Sequence, residues 1–372
     1  MVATVALLLV LLWLLLTVHY NDHDNWTALY YTGAQSTVPP QLGDEDVFQV
    51  RGSTGYDGQY YHYIAHDPFF QRGMEKYVDN PHLRYRRIFV PALAYLLAFG
   101  NEEYVDSLYL AITLAFLWAG AYWLSRFAAV HGISPWAGLA FVLIPSVLVT
   151  LDRLTVDLAL AALAIGFIYY ADRGHWRTLC LILTIAPLVR ETGVIFIAAI
   201  CIWKWRKAWL FALCALPFLA WELLLRLRWG SDQTVYTTSI PYSALIDRTL
   251  HPVQFALTSR WLAIASALDY LALLGIWAAL ALCVWLLWKR KFDLAAIAAL
   301  IFGAFAGTLG APQIWSDAYA FGRTLSPLLI WLALRAIIDR HWWMLIPISF
   351  AVPRILFQFQ PQWKGILHQM FG

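Results

Sequence analysis

Apolar residues run in long blocks along most of this 372-residue chain, and polar residues collect between them. A helix that crosses a bilayer needs roughly 20 apolar residues. The first block, Met1 to Val18, predicts such a helix. It has no basic leader and no clear small-x-small cleavage site before His19-Tyr20-Asn21, so it is expected to be a retained span and not a signal peptide. Further spans are expected at about 105–127, 136–150, 154–171, 207–227, 261–288, 293–311, 324–338 and 342–358. Two shorter halves, about 178–189 and 193–204, flank Arg190-Glu191-Thr192-Gly193. Each would be about 18 Å long at 1.5 Å per residue, short of a hydrocarbon core of about 30 Å. They are expected to pair, turning at 190–193 and returning to the side they entered from. The block 88–100 is also short and is expected to be an interfacial or re-entrant piece. The pattern predicts an all-α polytopic membrane protein, one membrane domain over 1–372 with about 11 membrane helices.

The longest polar stretch, about 20–87, follows the first span and is expected to be a large extracytoplasmic loop. Loops of that length usually carry function. It holds the acidic patches Asp22-His23-Asp24 and Asp44-Glu45-Asp46, turn signals at Pro39-Pro40 and Gly52 to Gly55, and Arg84-Tyr85-Arg86-Arg87 at its end. Tyr60, Tyr61, Ile64 and Ala65 recur at helical spacing, predicting a short helix over 57–66 that Pro68 stops.

Composition agrees: 61% of residues are hydrophobic and only 13% charged, against about 25% in soluble domains. A net charge of +3 is too small and dispersed for nucleic-acid binding. Placement of the charge matters more. Lys204-Trp205-Arg206-Lys207, Lys289-Arg290-Lys291 and the basic turn at 172–177 are expected to be cytoplasmic. Counting crossings backwards puts Leu151 to Asp157 and the long loop on the outer side. The four cysteines lie in apolar spans without metal-ligand spacing and are expected to be core hydrophobes.

The candidate chemistry lies in few residues. Asp57 opens the short helix, where a carboxylate either caps free backbone N–H groups or acts as a general base. Tyr56, Gln59, Tyr60 and Tyr61 surround it with rings and polar tips suited to a sugar. Arg190 and Glu191 are charges inside an apolar hairpin, either closing a turn as a mutual pair or, through Arg190, holding an anion. Arg84 and Arg86 are either interfacial anchors or a phosphate clamp, and would share one face if that stretch were extended. Arg87 would then point elsewhere. Arg153 and Asp157 are either helix-start charges or cavity wall. Asp24 is the reserve acid–base candidate. Asp22-His23-Asp24 has metal-ligand chemistry but weak spacing, so a divalent metal is only possible on this reading. Asn25-Trp26-Thr27 matches a glycosylation sequon.

Three segments give the chain a family likeness. Tyr56-Asp57-Gly58-Gln59-Tyr60-Tyr61 with Ile64-Ala65 resembles the Trp-Asp-x-x-x-Phe-x-x-Ile-Ala pattern of GPI mannosyltransferases. With Asp67-Pro68 and Arg84-Tyr85-Arg86-Arg87 following, it is closer to a bacterial group of GT-C-like proteins. Arg153-Leu154-Thr155-Val156-Asp157-Leu158 resembles an Arg-x-x-x-x-Asp-x-Leu segment of lipid-linked sugar transferases. Leu188-Val189-Arg190-Glu191-Thr192-Gly193 resembles their Leu-Thr-Lys-x-x-Gly turn, with arginine replacing lysine. The likeness covers roughly residues 1–205. One departure is Asp22-His23-Asp24 where many members carry Asp-Glu, which bears on which aspartate is the base.

The resemblance implies a GT-C membrane glycosyltransferase. Such an enzyme moves a monosaccharide from a polyprenyl-phosphate donor to a glycan, lipid or protein acceptor, with inversion. It implies Asp57 as base, Arg190, Arg84 and Arg86 on the donor phosphate, and the inner (plasma) membrane of a bacterium as location. Two other classes remain open: a transporter or flippase of a lipid-linked saccharide, and a non-catalytic member of an envelope-polymer assembly. A flippase would favour an inverted repeat, and none is visible.

Overall fold

The computed structural model describes residues 1–43, 45–230, 236–253, 255 and 259–371. Asp44 of the second acidic patch and parts of 228–260 lie outside the described residues. The described chain is all-α apart from one two-residue parallel pairing, Thr32–Gly33 (β1) with Gln49–Val50 (β2), and an isolated antiparallel bridge between Thr237 and Leu309.

Helix α1 (Val2–Asn21) leads into the long polar segment, which carries α2 (Asp57–His66), α3 (Pro81–Arg86) and α4 (Phe89–Leu97). The bundle continues with α5 (Glu102–Val130), α6 (Pro145–Arg153), α7 (Asp157–Asp172), α8 (Trp176–Val189) and α9 (Val194–Trp203). Then come α10 (Ala208–Ala212), α11 (Leu216–Trp229), α12 (Ser243–Leu250), α13 (Ser259–Trp288) and α14 (Leu294–Thr308). The last four are α15 (Ala318–Thr324), α16 (Ser326–Asp339), α17 (Ile346–Phe357) and α18 (Gln360–Phe371).

Four helical stretches are long and apolar enough to cross a membrane, and up to seven if each bent pair counts as one span. The bent pairs are 135–143 with α6, α15 with α16, and 342–357 with α18, at 57°, 62° and 46°. The chain is therefore a multi-helix membrane protein, with fewer qualifying spans among the described residues than the eleven expected. Helices α8, α9 and α14 are apolar but shorter. Helix α4 has 9 residues, about 14 Å of length, which falls well short of a crossing.

Local chemistry sets the breaks that matter for function. Tyr56 is extended and Asp57 is the first helical residue of α2. Asn80 caps α3 by accepting from the Leu83 N–H at 3.1 Å, with Pro81 at the first position. Leu154 takes a left-handed conformation between α6 and α7. Arg190 is extended between α8 and α9, and Lys204 comes back to 5.9 Å over the Trp176 ring, so α9 runs antiparallel to α8. Gly193 makes that turn possible: a Cβ there would sit 2.2 Å from the Ala186 carbonyl carbon.

Helix α7 is buried along nearly its whole length, against α5, α8 and α16. The starts of α5 and α7 and the end of α8 lie at one end of the bundle, beneath α2 and α3. The basic turns gather at the other end. There Trp123 donates to Tyr170 (3.1 Å), Arg340 donates to the His131 carbonyl (2.9 Å), and Lys291 lies 3.9 Å from Asp339.

Candidate functional site

At the end beneath α2, arginines from α3, its flank, the α8–α9 turn and α15 meet carboxylates from α2, α7 and the same turn. Asp57 is bound by two of them. Arg84 Nη1 is 2.9 Å from Oδ1, and Arg323 Nη2 is 2.8 Å from Oδ2. Asp57 is the first helical residue of α2, and its carboxylate is committed to these arginines. Burial favours the neutral acid, but Arg84, Arg323 and Arg87 outweigh it and hold the carboxyl well below the usual carboxylate range. The side chain is still 17% exposed.

The network continues inward. Asp157, at the start of α7, is bonded by Arg190 Nη1 and lies 3.6 Å from Arg323 Nε. Arg190 also donates to Thr324 at 3.3 Å. Arg87 makes a two-pronged pair with Glu191 at 2.9 and 2.8 Å and donates to the Tyr61 hydroxyl at 3.0 Å. Arg190 and Glu191 thus do not simply close a turn on each other; each pairs with a different chain segment. Arg84 is completed at the rim by a two-pronged pair with Asp79, 2.9 and 2.8 Å, which is half-buried.

Several polar atoms in this network have no hydrogen-bond partner among the described residues although they are buried. They are Arg323 Nη1, Arg190 Nε and Thr192 Oγ1; Arg323 Nε and Asp157 Oδ2 face each other at 3.6 Å, beyond hydrogen-bond length. A buried donor without a partner costs about 1–3 kcal/mol. The cluster therefore holds unused guanidinium N–H groups within reach of a carboxylate, which is chemistry for an oxyanion next to a proton acceptor.

Aromatic rings line the approach. Tyr56 lies between Arg153 at 4.8 Å and Arg323 at 5.1 Å, and the Arg84 guanidinium is 4.9 Å over the Tyr60 ring. Arg153 also stacks on Tyr31 at 3.7 Å and pairs with Asp152 at 3.0 Å. Asp152 is bonded in turn by Tyr319 and by Gln362 at 2.6 Å. Arg153 is thus a neighbour of the cluster, held by its own partners.

Other expected residues are placed elsewhere. Arg86 leaves the cluster and binds Glu222 at 2.8 and 3.3 Å, together with Arg226 and His82. The reason is that α3 is a helix. At 100° per residue Arg84 and Arg86 diverge, and Arg84 and Arg87 come round to the same side. Gln59 is buried, accepts from the Gly33 N–H at 3.2 Å and donates to the Thr54 carbonyl at 3.1 Å. It ties α2 to the loop. Asp24 is exposed and pairs with His19 at 2.8 Å, away from Asp57. Asp22, His23 and Asp24 do not bring three ligand atoms together.

Sequence reasoning missed Arg323 and left Arg87 outside. Arg323 carries a signal of its own: an arginine between apolar blocks has to find a partner or a polar cavity. No family model matches the chain, and neither does any curated protein or any solved structure.

Proposed function

We propose that the protein is an inverting glycosyltransferase that takes a monosaccharide from a polyprenyl-phosphate donor at the end of the bundle beneath α2. The observation that carries the reading is the set of buried, unpartnered donors on Arg323 and Arg190 beside the Asp57 and Asp157 carboxylates. Arg84, Arg87, Arg190 and Arg323 face Asp57, Asp157 and Glu191, with Asp79 only at the wet rim. With Asp79, which takes a two-pronged pair from Arg84, guanidiniums and carboxylates are equal in number, so a sugar phosphodiester gains its place by competing with the carboxylates for the arginine N–H groups.

In this reading Asp57 is a weak base while two arginines hold it. Phosphate oxygens compete for the same N–H groups. Each guanidinium that turns to the donor lets the Asp57 carboxyl rise toward its ordinary value, so base strength arrives with substrate. An acceptor hydroxyl then attacks the anomeric carbon as the bond to the phosphate oxygen breaks. The proton passes to Asp57 and the electron pair leaves with the phosphate, where Arg190 and Arg323 stabilise the growing charge. Tyr56 and Tyr60 offer ring faces to the sugar. The expected topology places this end outside and the basic turns at the opposite end in the cytoplasm, in a bacterial inner membrane with a GT-C-like bundle.

The test is transfer from a labelled polyprenyl-phosphate sugar by the full chain in detergent. Asp57→Asn is expected to lower turnover by about 10²–10⁴-fold while the donor still binds. Wild-type turnover in that variant would exclude Asp57 as the base. Donor binding without cleavage of the sugar–phosphate bond by the wild-type protein would point to a carrier instead.

A further inference from the structure

Away from the arginine cluster, four side chains converge at the other end of α2. His62 and His66 are one helical turn apart, so both rings leave the same face. Both are fully buried. Glu45 reaches them from the polar segment and Asp106 from the second turn of α5. His62 Nε2 is 3.2 Å from Glu45 Oε2 and 3.2 Å from Asp106 Oδ2. His66 Nε2 is 3.4 Å from Glu45 Oε1 and 3.3 Å from Asp106 Oδ1. One ligand atom from each residue lies within 4.8 Å of the others, and no other such group of three or more occurs among the described residues.

Each Nε2 lies 3.2–3.4 Å from one oxygen of each carboxylate, four different oxygens in all, close to the roughly 3.4 Å that separates ligands held about 2.1 Å from a tetrahedral ion. An Nε2–H is a single donor, yet each Nε2 faces two carboxylates. Both Nδ1 atoms are buried without a hydrogen-bond partner among the described residues, so the polar contacts of these rings there are on the Nε2 side. Tyr30 fixes two of the four groups. Its ring stacks on His62 at 4.3 Å and 7°, and its hydroxyl donates to Asp106 at 3.0 Å, the kind of outer support metal ligands usually have.

We infer that Glu45, His62, His66 and Asp106 form a closed, four-ligand zinc site that staples the polar segment and α2 to α5. Two imidazoles with two carboxylates suit zinc; magnesium and calcium take all-oxygen sets. Four protein ligands leave no open position, which is the structural form of such sites. An acidic cavity of about 650 Å³, lined by Asp24, Glu45, Asp46, Glu102, Glu103 and Asp106, leads to it and would draw cations in. The site does not depend on the transferase reading.

The full chain, purified in detergent without chelator, should contain about one zinc per chain by plasma mass spectrometry. After chelation, added Zn²⁺ should restore that content and raise the melting temperature. His62→Ala with His66→Ala should cut zinc content at least about tenfold. Glu45→Gln, which keeps the side-chain volume and leaves His62 and His66 in place, should lower Zn²⁺ affinity by about 10–100-fold in a folded protein. His23→Ala should change nothing. X-ray absorption should show nitrogen and oxygen neighbours at about 2.0–2.2 Å. A wild-type chain that neither retains nor takes up zinc overturns the inference, and so does stoichiometric zinc that survives the double histidine change.

Discussion

At Asp57 one carboxylate serves two arginines, and at Arg323 one guanidinium serves two carboxylates, so the two residues answer differently to substitution. Removing Arg323 leaves Asp57 with Arg84 and Asp157 with Arg190. Arg323→Gln is therefore expected to fold, with a fall in stability of about 1–3 kcal/mol; on the proposed transferase reading, its KM for a lipid-phosphate donor rises about tenfold or more. A thermal melt beside steady-state kinetics separates the two effects. Arg323→Lys should not restore activity, because an ammonium cannot span both carboxylates as a planar fork does. Asp22 gives a pH prediction. Burial and Asp152 outweigh the opposing pull of His23 and push its carboxyl up to about 6. The folded protein then binds this proton more tightly than the unfolded chain, so stability falls as pH rises from about 4 to 6. Asp22→Asn should raise the melting temperature at pH 7.5 and leave it nearly unchanged at pH 4.

At the scale of elements, α2 was readable because its signals are local: helical spacing of Tyr60, Tyr61, Ile64 and Ala65, and Pro68 as a stop. The extended alternative for Arg84 and Arg86 failed because Asn80 and Pro81 start a helix there. The pair His62 and His66 was equally visible at i and i+4, but its carboxylates come from positions 45 and 106, and only packing of α2 on α5 unites them. Arg323 reaches Asp57 across 266 positions, beyond any local pattern. Close backbone approach around α2 is also a tertiary matter. A Cβ on Gly58 would sit 2.2 Å from the Arg153 carbonyl oxygen and 2.6 Å from that of Tyr30. Gly58→Ala should therefore cost about 1–3 kcal/mol by forcing α2 off the bundle. A thermal melt measures that cost; on the proposed transferase reading, kcat falls with it.

For the whole molecule, the apolar blocks made the helical membrane class legible, because hydrocarbon burial is written in composition. The number of spans was less so. Blocks of similar apolarity became bent pairs at 143–145, 324–326 and 357–360, and bending depends on neighbours as much as on sequence. The separation of the arginine cluster from the basic turns gives an orientation to test. In intact cells, an impermeant thiol reagent should label a cysteine placed at the exposed Arg51 and not one at the exposed Lys289. Reversed labelling would put the cluster in the cytoplasm.

Helix α2 is fastened at its first residue by two arginines, in its first turn by Gln59 to the Gly33 and Thr54 backbones, and along its second half by His62 and His66. A rod pinned at three heights does not swing. It is a fixed sill, and backbone amides along it should exchange hydrogen among the slowest in the polar segment. On the proposed reading, a long-tailed donor gains nothing by waiting for this segment to lift, and entry falls to the gaps between membrane helices.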